Sequence, residues 1–195
     1  ICKEFFPKLN YIVMPRNETW RFDHLIVPSL SNHQDGILTP YMPPWIRHLA
    51  NTVKEKNTRP HRKIIITREN AQNRNIQNQE QMVMALKGWK TIDLDTLSIK
   101  DQVQTFAEAT HIVSPHGAGL TNLLWCEEGT KVFELTHEAF LGKKVYPVLS
   151  RHLGLKHTVI LCDTVPIKNK KPKNKKSKDM VDLKLDVPKL IQLLD

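Results

Sequence analysis

The sequence predicts an α/β fold built on an open, doubly wound parallel sheet. From residue 63 onward, short β-branched runs alternate with amphipathic segments, which is the pattern of consecutive βαβ units. The run at residues 63–67 is apolar in its interior, as expected for a central parallel strand buried on both faces. Five strand-like runs separated by helical segments predict helices on both faces of one sheet, because crossover connections are right-handed.

Caps and periodicity predict the individual elements. We expect strands at residues 63–67, 91–94, 111–114, 131–135 and 157–161. Asn78 is suited to cap the first helix, with Gln81 reaching back to it, and Gly88 ends that helix. Ser98 and Asp101 form a capping box before a second helix. Further helical segments are expected at residues 120–124, 145–152 and 187–194, the last docking on the body.

Two parts of the chain differ in composition. Residues 1–60 hold seven of the twelve prolines, which predicts an irregular lead-in that packs on the sheet. Residues 61–195 are expected to form the main domain. Within it, residues 168–178 are rich in lysine and asparagine, with Pro172 inside the run, which is typical of a solvated basic loop.

Composition excludes several classes of protein. Apolar residues make up 40% and charged residues 25% of the 195 residues, as in an ordinary globular domain. The net charge of +9 comes mostly from seven lysines of the basic loop, so the near-neutral remainder argues against nucleic-acid binding. Three widely spaced cysteines predict neither a disulfide framework nor a zinc site. The longest uncharged stretch, residues 111–126, is too polar to cross a bilayer.

The segment from Ser114 to Leu120 follows a predicted strand and begins a predicted helix. Ligands of open α/β sheets bind at this position. Gly117 and Gly119 allow the backbone to approach a ligand, free amides at a helix N-terminus favour phosphate, and His116 adds a donor. The alternative is a tight turn with a buried or capping histidine. The segment matches neither the dinucleotide fingerprint nor the P-loop.

A second polar cluster follows the first predicted strand. Arg68 and Arg74 carry planar guanidinium groups that match phosphate oxygens, so together with the His116 loop they predict a diphosphate site without a metal. Taken singly, each arginine is also consistent with a solvated surface residue, and Asn78 with a cap. Glu134 closes the fourth strand, where it either accepts from ribose hydroxyls or forms a salt-bridged strand end.

Between positions 67 and 134 the chain carries an ordered set of motifs. The set comprises Thr67-Arg68-x-x-Ala71-x-x-Arg74-x-Ile76-x-Asn78, Gly88-Trp89, Asp101-Gln102, Phe106, Ala109 and Ile112-Val113-Ser114-Pro115-His116-Gly117-Ala118-Gly119-Leu120-Thr121-Asn122, through Glu134. This set resembles the pattern of glycosyltransferase family 61. The resemblance implies the Rossmann-like, donor-binding half of a GT-B glycosyltransferase that acts with inversion. The family includes O-linked N-acetylglucosamine and xylose transferases and bacterial polysaccharide enzymes.

The resemblance also implies substrates and site residues. The donor is a nucleoside diphosphate sugar, the acceptor is a hydroxyl of a glycan or protein, and no other cofactor is expected. Arg68 and His116 are the expected catalytic residues. The expected donor-binding residues are Arg68, Arg74, Asn78, His116, Gly117, Ala118, Gly119 and Glu134.

Neither a metal site nor a catalytic base is assigned from the sequence. Asp93 and Asp95 match the Asp-x-Asp pattern by which other glycosyltransferases bind manganese, but the arginine cluster makes a divalent ion redundant, and we expect no metal. An inverting transfer needs a base near the acceptor hydroxyl. His33, Asp35 and a residue of an absent half are open candidates.

Two alternatives to a transferase remain at this stage. One is a non-catalytic module that binds nucleotide sugars, and the other is a polyanion-binding protein that uses the lysine run. The expected partners are a nucleotide sugar, an acceptor and an N-terminal acceptor domain absent from this chain, but no nucleic acid; peripheral membrane association is an open option. We expect a cytoplasmic location for a bacterial or viral protein, which we prefer, and the secretory lumen for a eukaryotic one.

Overall fold

A five-stranded parallel sheet forms the centre of the fold. The computed structural model describes residues 8, 12, 15–24, 42–55, 58–68, 71, 73–167 and 181–194. The strands are β1 (Arg62–Thr67), β2 (Lys90–Asp93), β3 (Ala109–Pro115), β4 (Lys131–Thr136) and β5 (Lys156–Leu161). They lie in the order β2-β1-β3-β4-β5, and every neighbouring pair is parallel. The predicted α/β fold with an open parallel sheet is confirmed.

Helices and a second, smaller sheet surround these strands. The α-helices are α1 (Met42–Val53), α2 (Gln79–Ala85), α3 (Ile99–Ala107), α4 (Val145–His152) and α5 (Val187–Leu194). Three 3₁₀ helices span Leu94–Thr96, Ala118–Trp125 and Glu138–Phe140. Strands β6 (Asp163–Pro166) and β7 (Val181–Lys184) pair antiparallel beside the main sheet. The basic loop, residues 168–178, lies outside the described residues.

The two faces of the sheet carry separate apolar cores. Ile64 belongs to a core that includes Phe106 of α3 and Leu149 of α4. Ile65, the next residue, belongs to the opposite core with Met82 of α2. Because successive side chains of a strand point to opposite faces, the β-branched run of β1 needs apolar cover on both sides. The sheet is therefore doubly wound, as its apolar strands predict.

The predicted caps have different outcomes. The amide of Asp101 donates to Oγ of Ser98 over 3.2 Å, so the predicted cap of α3 is confirmed. Asn78 precedes α2 but makes no capping hydrogen bond to that helix. Its carboxamide instead bonds to Gln81 and to the backbone of Leu185. The prediction that Asn78 caps α2 is therefore wrong, because a distant backbone segment occupies its side chain.

Helix α1 lies in the part of the chain predicted to be irregular. Its second and third residues are Pro43 and Pro44, which are tolerated there because first-turn amides have no partner within a helix. Leu49 and Ala50 are buried, and the helix contacts α3 and the 3₁₀ helix Ala118–Trp125. The two prolines mark the start of this helix, so the lead-in that was predicted to be irregular contains a regular helix at residues 42–53.

The strand order places a crevice between two particular strands. The chain leaves β1 for β2 on one side and then returns to place β3 on the other side of β1. Connections that run in opposite directions from neighbouring strands leave a gap at the carboxyl edge of the sheet, where ligands of such folds bind. Arg68 and His116 directly follow these two strands. Among the described residues, no helix is both long and apolar enough to cross a membrane.

Candidate active site

A cavity of about 240 Å³ opens at the carboxyl ends of β1, β2 and β3. It lies at the position that the strand order predicts for a ligand. Both predicted arginines line it, together with two residues of the glycine loop, which runs from His116 to Gly119. The lining residues are Ile66, Thr67, Arg68, Ala71, Arg74, Asp93, Leu94, Asp95, Ser114, Pro115, Ala118 and Gly119.

Both arginines reach the carbonyl oxygen of His116. Nη1 of Arg74 donates to it over 2.6 Å, and Nη1 of Arg68 lies 3.5 Å from it. One carbonyl thus holds two guanidinium groups at the cavity wall. A guanidinium group carries five N–H donors, so the single His116 carbonyl cannot satisfy Arg68, whose Nε has no partner among the described residues.

Arg68 is half-buried and keeps spare hydrogen-bonding capacity. Among the described residues, its Nε has no hydrogen-bond partner and no carboxylate forms an ion pair with it. Burial lowers the pKa of Arg68, whereas the nearby Asp95 and Tyr146 raise it. An arginine nevertheless remains charged at any physiological pH. The cavity therefore holds a partly desolvated positive charge.

Gly117 provides space for the Arg68 guanidinium. A Cβ at this position would overlap Nη1 of Arg68. The backbone of Gly117 is extended, with φ 169°, a conformation open to any residue, so the glycine is needed for its lack of a side chain. A Cβ at Gly119 would lie 2.8 Å from Cδ1 of Leu94. The 3₁₀ helix begins at Ala118, and first-turn amides lack partners within a helix.

Glu134 is buried between two imidazoles. It is 2% exposed; Nδ1 of His116 hydrogen-bonds to one carboxylate oxygen, and Nε2 of His157 lies 2.8 Å from the other. Burial raises the pKa of Glu134, but the hydrogen bonds from both imidazoles lower it by more, so that the pKa lies below its usual value. Glu134 is absent from the cavity lining. The structure thus shows the paired strand end, one of the two interpretations of Glu134.

The histidine network extends to residues that sequence reasoning missed. Nδ1 of His157, on β5, lies 2.7 Å from Oγ of Ser150, on α4. Register on the sheet places His157 beside Val132 of β4, close to Glu134. His157 lies between Lys156 and Thr158 at the polar start of β5, so the sequence carried no clear signal for it. The contacts orient His116 with Nδ1 toward Glu134 and therefore Nε2 on the other side of the ring.

An aromatic residue supports one of the arginines. The guanidinium carbon of Arg74 lies 5.1 Å from the ring centroid of Phe140, and Nζ of Lys143 lies 4.0 Å from the same centroid. Phe140 also packs against His116, with ring centroids 4.7 Å apart, and Tyr146 packs on His116 at 5.2 Å. Cations are attracted to the faces of aromatic rings. Phe140 therefore helps to place both Arg74 and His116.

Two carboxylates line the same cavity as the arginines. Asp93 and Asp95 stand at the end of β2 and in the following 3₁₀ helix. The amide of Asp95 donates to Oδ1 of Asp93 over 3.0 Å, which forms a local turn. No group of three or more metal-ligating residues occurs in the part of the chain that the structure describes.

The other predicted residues lie elsewhere. Asn78 does not line the cavity, because both ends of its carboxamide bond to the backbone of Leu185. His33 and Asp35, the candidate bases, lie outside the described residues. The structure therefore brings Arg68, Arg74, Ala118 and Gly119 together in the cavity lining. His116 and Gly117 do not line the cavity, although the His116 carbonyl binds both arginines. Asn78 contacts a neighbouring backbone segment instead of the cavity.

The fold and this arrangement agree with the comparison of the sequence with known families. The profile of the family described as Glycosyltransferase 61 matches residues 2–133, which is more than half of the chain. The protein belongs to glycosyltransferase family 61. The family inferred from the sequence motifs is confirmed, and no curated protein matches the chain significantly.

The extent of the family match bears on the site. In this family 61 protein the matched residues include Arg68, Arg74 and the loop from His116 to Gly119, and they end within β4, one residue before Glu134. The match also begins at residue 2, so the proline-rich lead-in belongs to the family region. His157 and everything after it lie beyond the matched residues.

Proposed function

We propose that this family 61 protein transfers a glycosyl group, with inversion, from a nucleoside diphosphate sugar to a hydroxyl of a glycan or protein. The observation that carries the proposal is the convergence of Arg68 and Arg74 on the His116 carbonyl beside the cavity. Two partly desolvated guanidinium groups beside first-turn backbone amides form an environment suited to a diphosphate.

The size of the cavity favours a diphosphate together with only part of the nucleoside or sugar that is attached to it. Sites for complete drug-sized ligands occupy roughly 300 to 1,000 Å³, which exceeds the 240 Å³ found here. The nucleoside or the sugar therefore extends beyond the cavity. Asp93 and Asp95 on its wall carry acceptors for hydroxyl groups, which suits the ribose or the sugar.

The chemistry is a single displacement at the anomeric carbon. The bond from that carbon to the diphosphate oxygen breaks, and the acceptor oxygen bonds to the carbon from the opposite face while its proton passes to a base. Negative charge grows on the leaving diphosphate, and Arg68, Arg74 and the amides of the glycine loop stabilise it. One such preorganised donor contributes about 3 kcal/mol to the barrier reduction.

His116 links the glycine loop to the buried carboxylate. Its imidazole is fixed by Glu134 and packed against Phe140 and Tyr146. In the proposed reaction Nε2 of His116, on the side of the ring away from Glu134, donates to a diphosphate oxygen. Glu134 then acts through His116, in place of a direct contact with the donor. Since the two arginines carry the needed positive charge, the proposed reaction uses no metal ion.

Calorimetry with uridine diphosphate and guanosine diphosphate tests the proposal. Wild-type protein is expected to bind one of them, and Arg68→Ala and Arg74→Ala are each expected to weaken binding at least about tenfold, since charge-assisted hydrogen bonds contribute about 1.5 to 3 kcal/mol. Lys90→Ala is the matched control, because Lys90 is exposed at the start of β2, on the opposite edge of the sheet. If both arginine variants bind the nucleoside diphosphate as tightly as the wild type, the proposal is contradicted.

A donor-hydrolysis assay separates the transferase from a non-catalytic module. Release of sugar from the nucleoside diphosphate sugar that binds supports turnover, whereas tight binding without release supports the module. Deletion of residues 168–178 tests the polyanion-binding alternative. The deletion is expected to leave nucleoside diphosphate affinity intact; loss of that affinity contradicts the assignment of the site to the sheet edge.

A further inference from the structure

A segment near the C-terminus pairs with the loop that carries Arg74. The amide of Arg74 donates to the carbonyl of Val181 over 2.7 Å, and the amide of Leu183 donates to the carbonyl of Asn75 over 2.8 Å. The amide of Gln77 in turn donates to the carbonyl of Leu183 over 2.8 Å. Residues 74–77 therefore run along β7, with a parallel β-bridge between Ile76 and Leu183.

The carboxylate of Asp182 joins the same two segments. Its Oδ1 accepts from the backbone amide of Asn75 over 3.0 Å and from the side-chain amide of Asn75 over 3.2 Å. Its Oδ2 accepts from Nε2 of Gln77 over 2.8 Å. Asp182 is 7% exposed, so it is a buried carboxylate, and both of its oxygens accept from donors of Asn75 and Gln77. These three bonds hold Asn75 and Gln77 against β7.

Asn78 closes the far end of this contact. Its Oδ1 accepts from the amide of Leu185 over 2.9 Å, and its Nδ2 donates to the carbonyl of Leu185 over 2.8 Å. An asparagine that bonds a backbone in both directions imitates a neighbouring strand. The loop is thus fixed from Arg74 to Asn78 by residues 181–185, which lie more than a hundred positions later in the chain.

The backbone of Arg74 explains why this support matters. Arg74 has φ 61°, a left-handed conformation that is uncommon for residues other than glycine. Such conformations persist where surrounding contacts impose them, and they concentrate at functional sites. In this conformation Arg74 reaches the His116 carbonyl and the face of Phe140. The contacts of residues 181–185 hold the backbone that aims this guanidinium.

We propose that Asp182 is a positioning residue for the diphosphate site, acting through the conformation of Arg74. The inference rests on the proposed function and deepens it, because it makes residues 181–185, beyond the family-matched region, part of the donor-binding apparatus. Asp182 itself touches no substrate. Its contribution is to fix the loop in which Arg74 adopts its left-handed conformation.

A double-substitution experiment tests this role. The affinity for uridine or guanosine diphosphate, whichever the wild type binds, is measured by calorimetry for Asp182→Asn, Arg74→Ala and the double variant. Asp182→Asn is expected to weaken binding about tenfold in the wild-type background and to have no further effect when Arg74 is already alanine. The control is Asp186→Asn. Asp186 is exposed, directly follows residues 181–185 and accepts from the backbone amide of Lys189 in α5.

Each result bears on one claim. If Arg74→Ala leaves affinity unchanged, the proposed function fails; if Arg74→Ala weakens binding and Asp182→Asn does not, only the positioning role fails. An equal loss from Asp182→Asn in both backgrounds shows a general structural effect and also overturns the role.

Gln77→Ala provides a second test if Asp182→Asn does not fold. It removes the hydrogen bond to Oδ2 of Asp182 by changing an exposed residue. It is expected to weaken binding in the same direction by a smaller factor, and wild-type affinity in that variant overturns the role.

Discussion

Nη1 of Arg74 donates a hydrogen bond to the carbonyl oxygen of His116 over 2.6 Å. This bond joins the loop after β1 to the loop after β3, the two strands that border the crevice. The bond therefore links the two halves of the proposed diphosphate site.

Gly117→Ala is expected to weaken nucleoside diphosphate affinity about tenfold while leaving thermal stability close to that of the wild type. The added methyl group would overlap Nη1 of Arg68, and the flexible end of that side chain moves more easily than the backbone. Calorimetry and a thermal melt measure the two effects. Gly119→Ala is the matched comparison, since its methyl group meets the Leu94 side chain and not Arg68. If both variants lose the same affinity, displacement of the Arg68 guanidinium does not explain the loss.

Glu134→Gln is expected to lower the free energy of unfolding at pH 7 by about 1 to 3 kcal/mol, because one buried imidazole loses its carboxylate acceptor. The two imidazoles hold the pKa of Glu134 below its usual value, which is about 4.3 in an unfolded chain. This carboxylate therefore contributes stability above about pH 4.3 and loses that contribution as the pH falls through its pKa in the folded state.

Urea unfolding between pH 7 and pH 3 measures this effect. The difference between the wild type and Glu134→Gln is expected to shrink as the pH drops below about 4.3. A difference that stays constant over that range shows that the pKa of Glu134 is not lowered by its partners, and it contradicts the assigned network.

Much of the site was predictable because parallel strands end at one edge of a sheet. Arg68 follows β1 and His116 follows β3, so their proximity needed only the correct assignment of two apolar strands. The hydrogen bond between His157 and Glu134 and the pairing of Asn78 with Leu185 were not predictable, since both join residues of distant segments. The short strands β6 and β7 span only four residues each; Val181–Lys184 alternates apolar and polar residues over too short a run to stand out, and Asp163–Pro166 carries no such alternation.

Phe140→Leu is expected to weaken nucleoside diphosphate affinity about threefold to tenfold, because a leucine retains apolar volume but lacks the ring face that attracts Arg74. The same calorimetric titration measures the change. Lys143→Met provides the comparison, since it removes the exposed cation on Phe140 and leaves the Arg74 contact in place. If Lys143→Met lowers the nucleoside diphosphate affinity more than Phe140→Leu does, the positive charge of Lys143, and not the placement of Arg74 by Phe140, accounts for the loss of affinity.

Transfer or donor hydrolysis is expected to continue in excess EDTA, because Arg68 and Arg74 supply the positive charge that a divalent ion provides in other sites. The rate is measured before and after chelation and again with added manganese. Strict dependence on manganese reassigns Asp93 and Asp95 as metal ligands and contradicts this account of the cavity.

A crystal structure of the protein with its bound nucleoside diphosphate is the decisive measurement for the proposed site. We expect the diphosphate in the cavity at the ends of β1 and β3, with phosphate oxygens within about 3.2 Å of guanidinium nitrogens of Arg68 and Arg74 and of an amide of the Gly117–Gly119 loop. A diphosphate bound elsewhere on the protein, with both arginines still turned only to the His116 carbonyl, would contradict it.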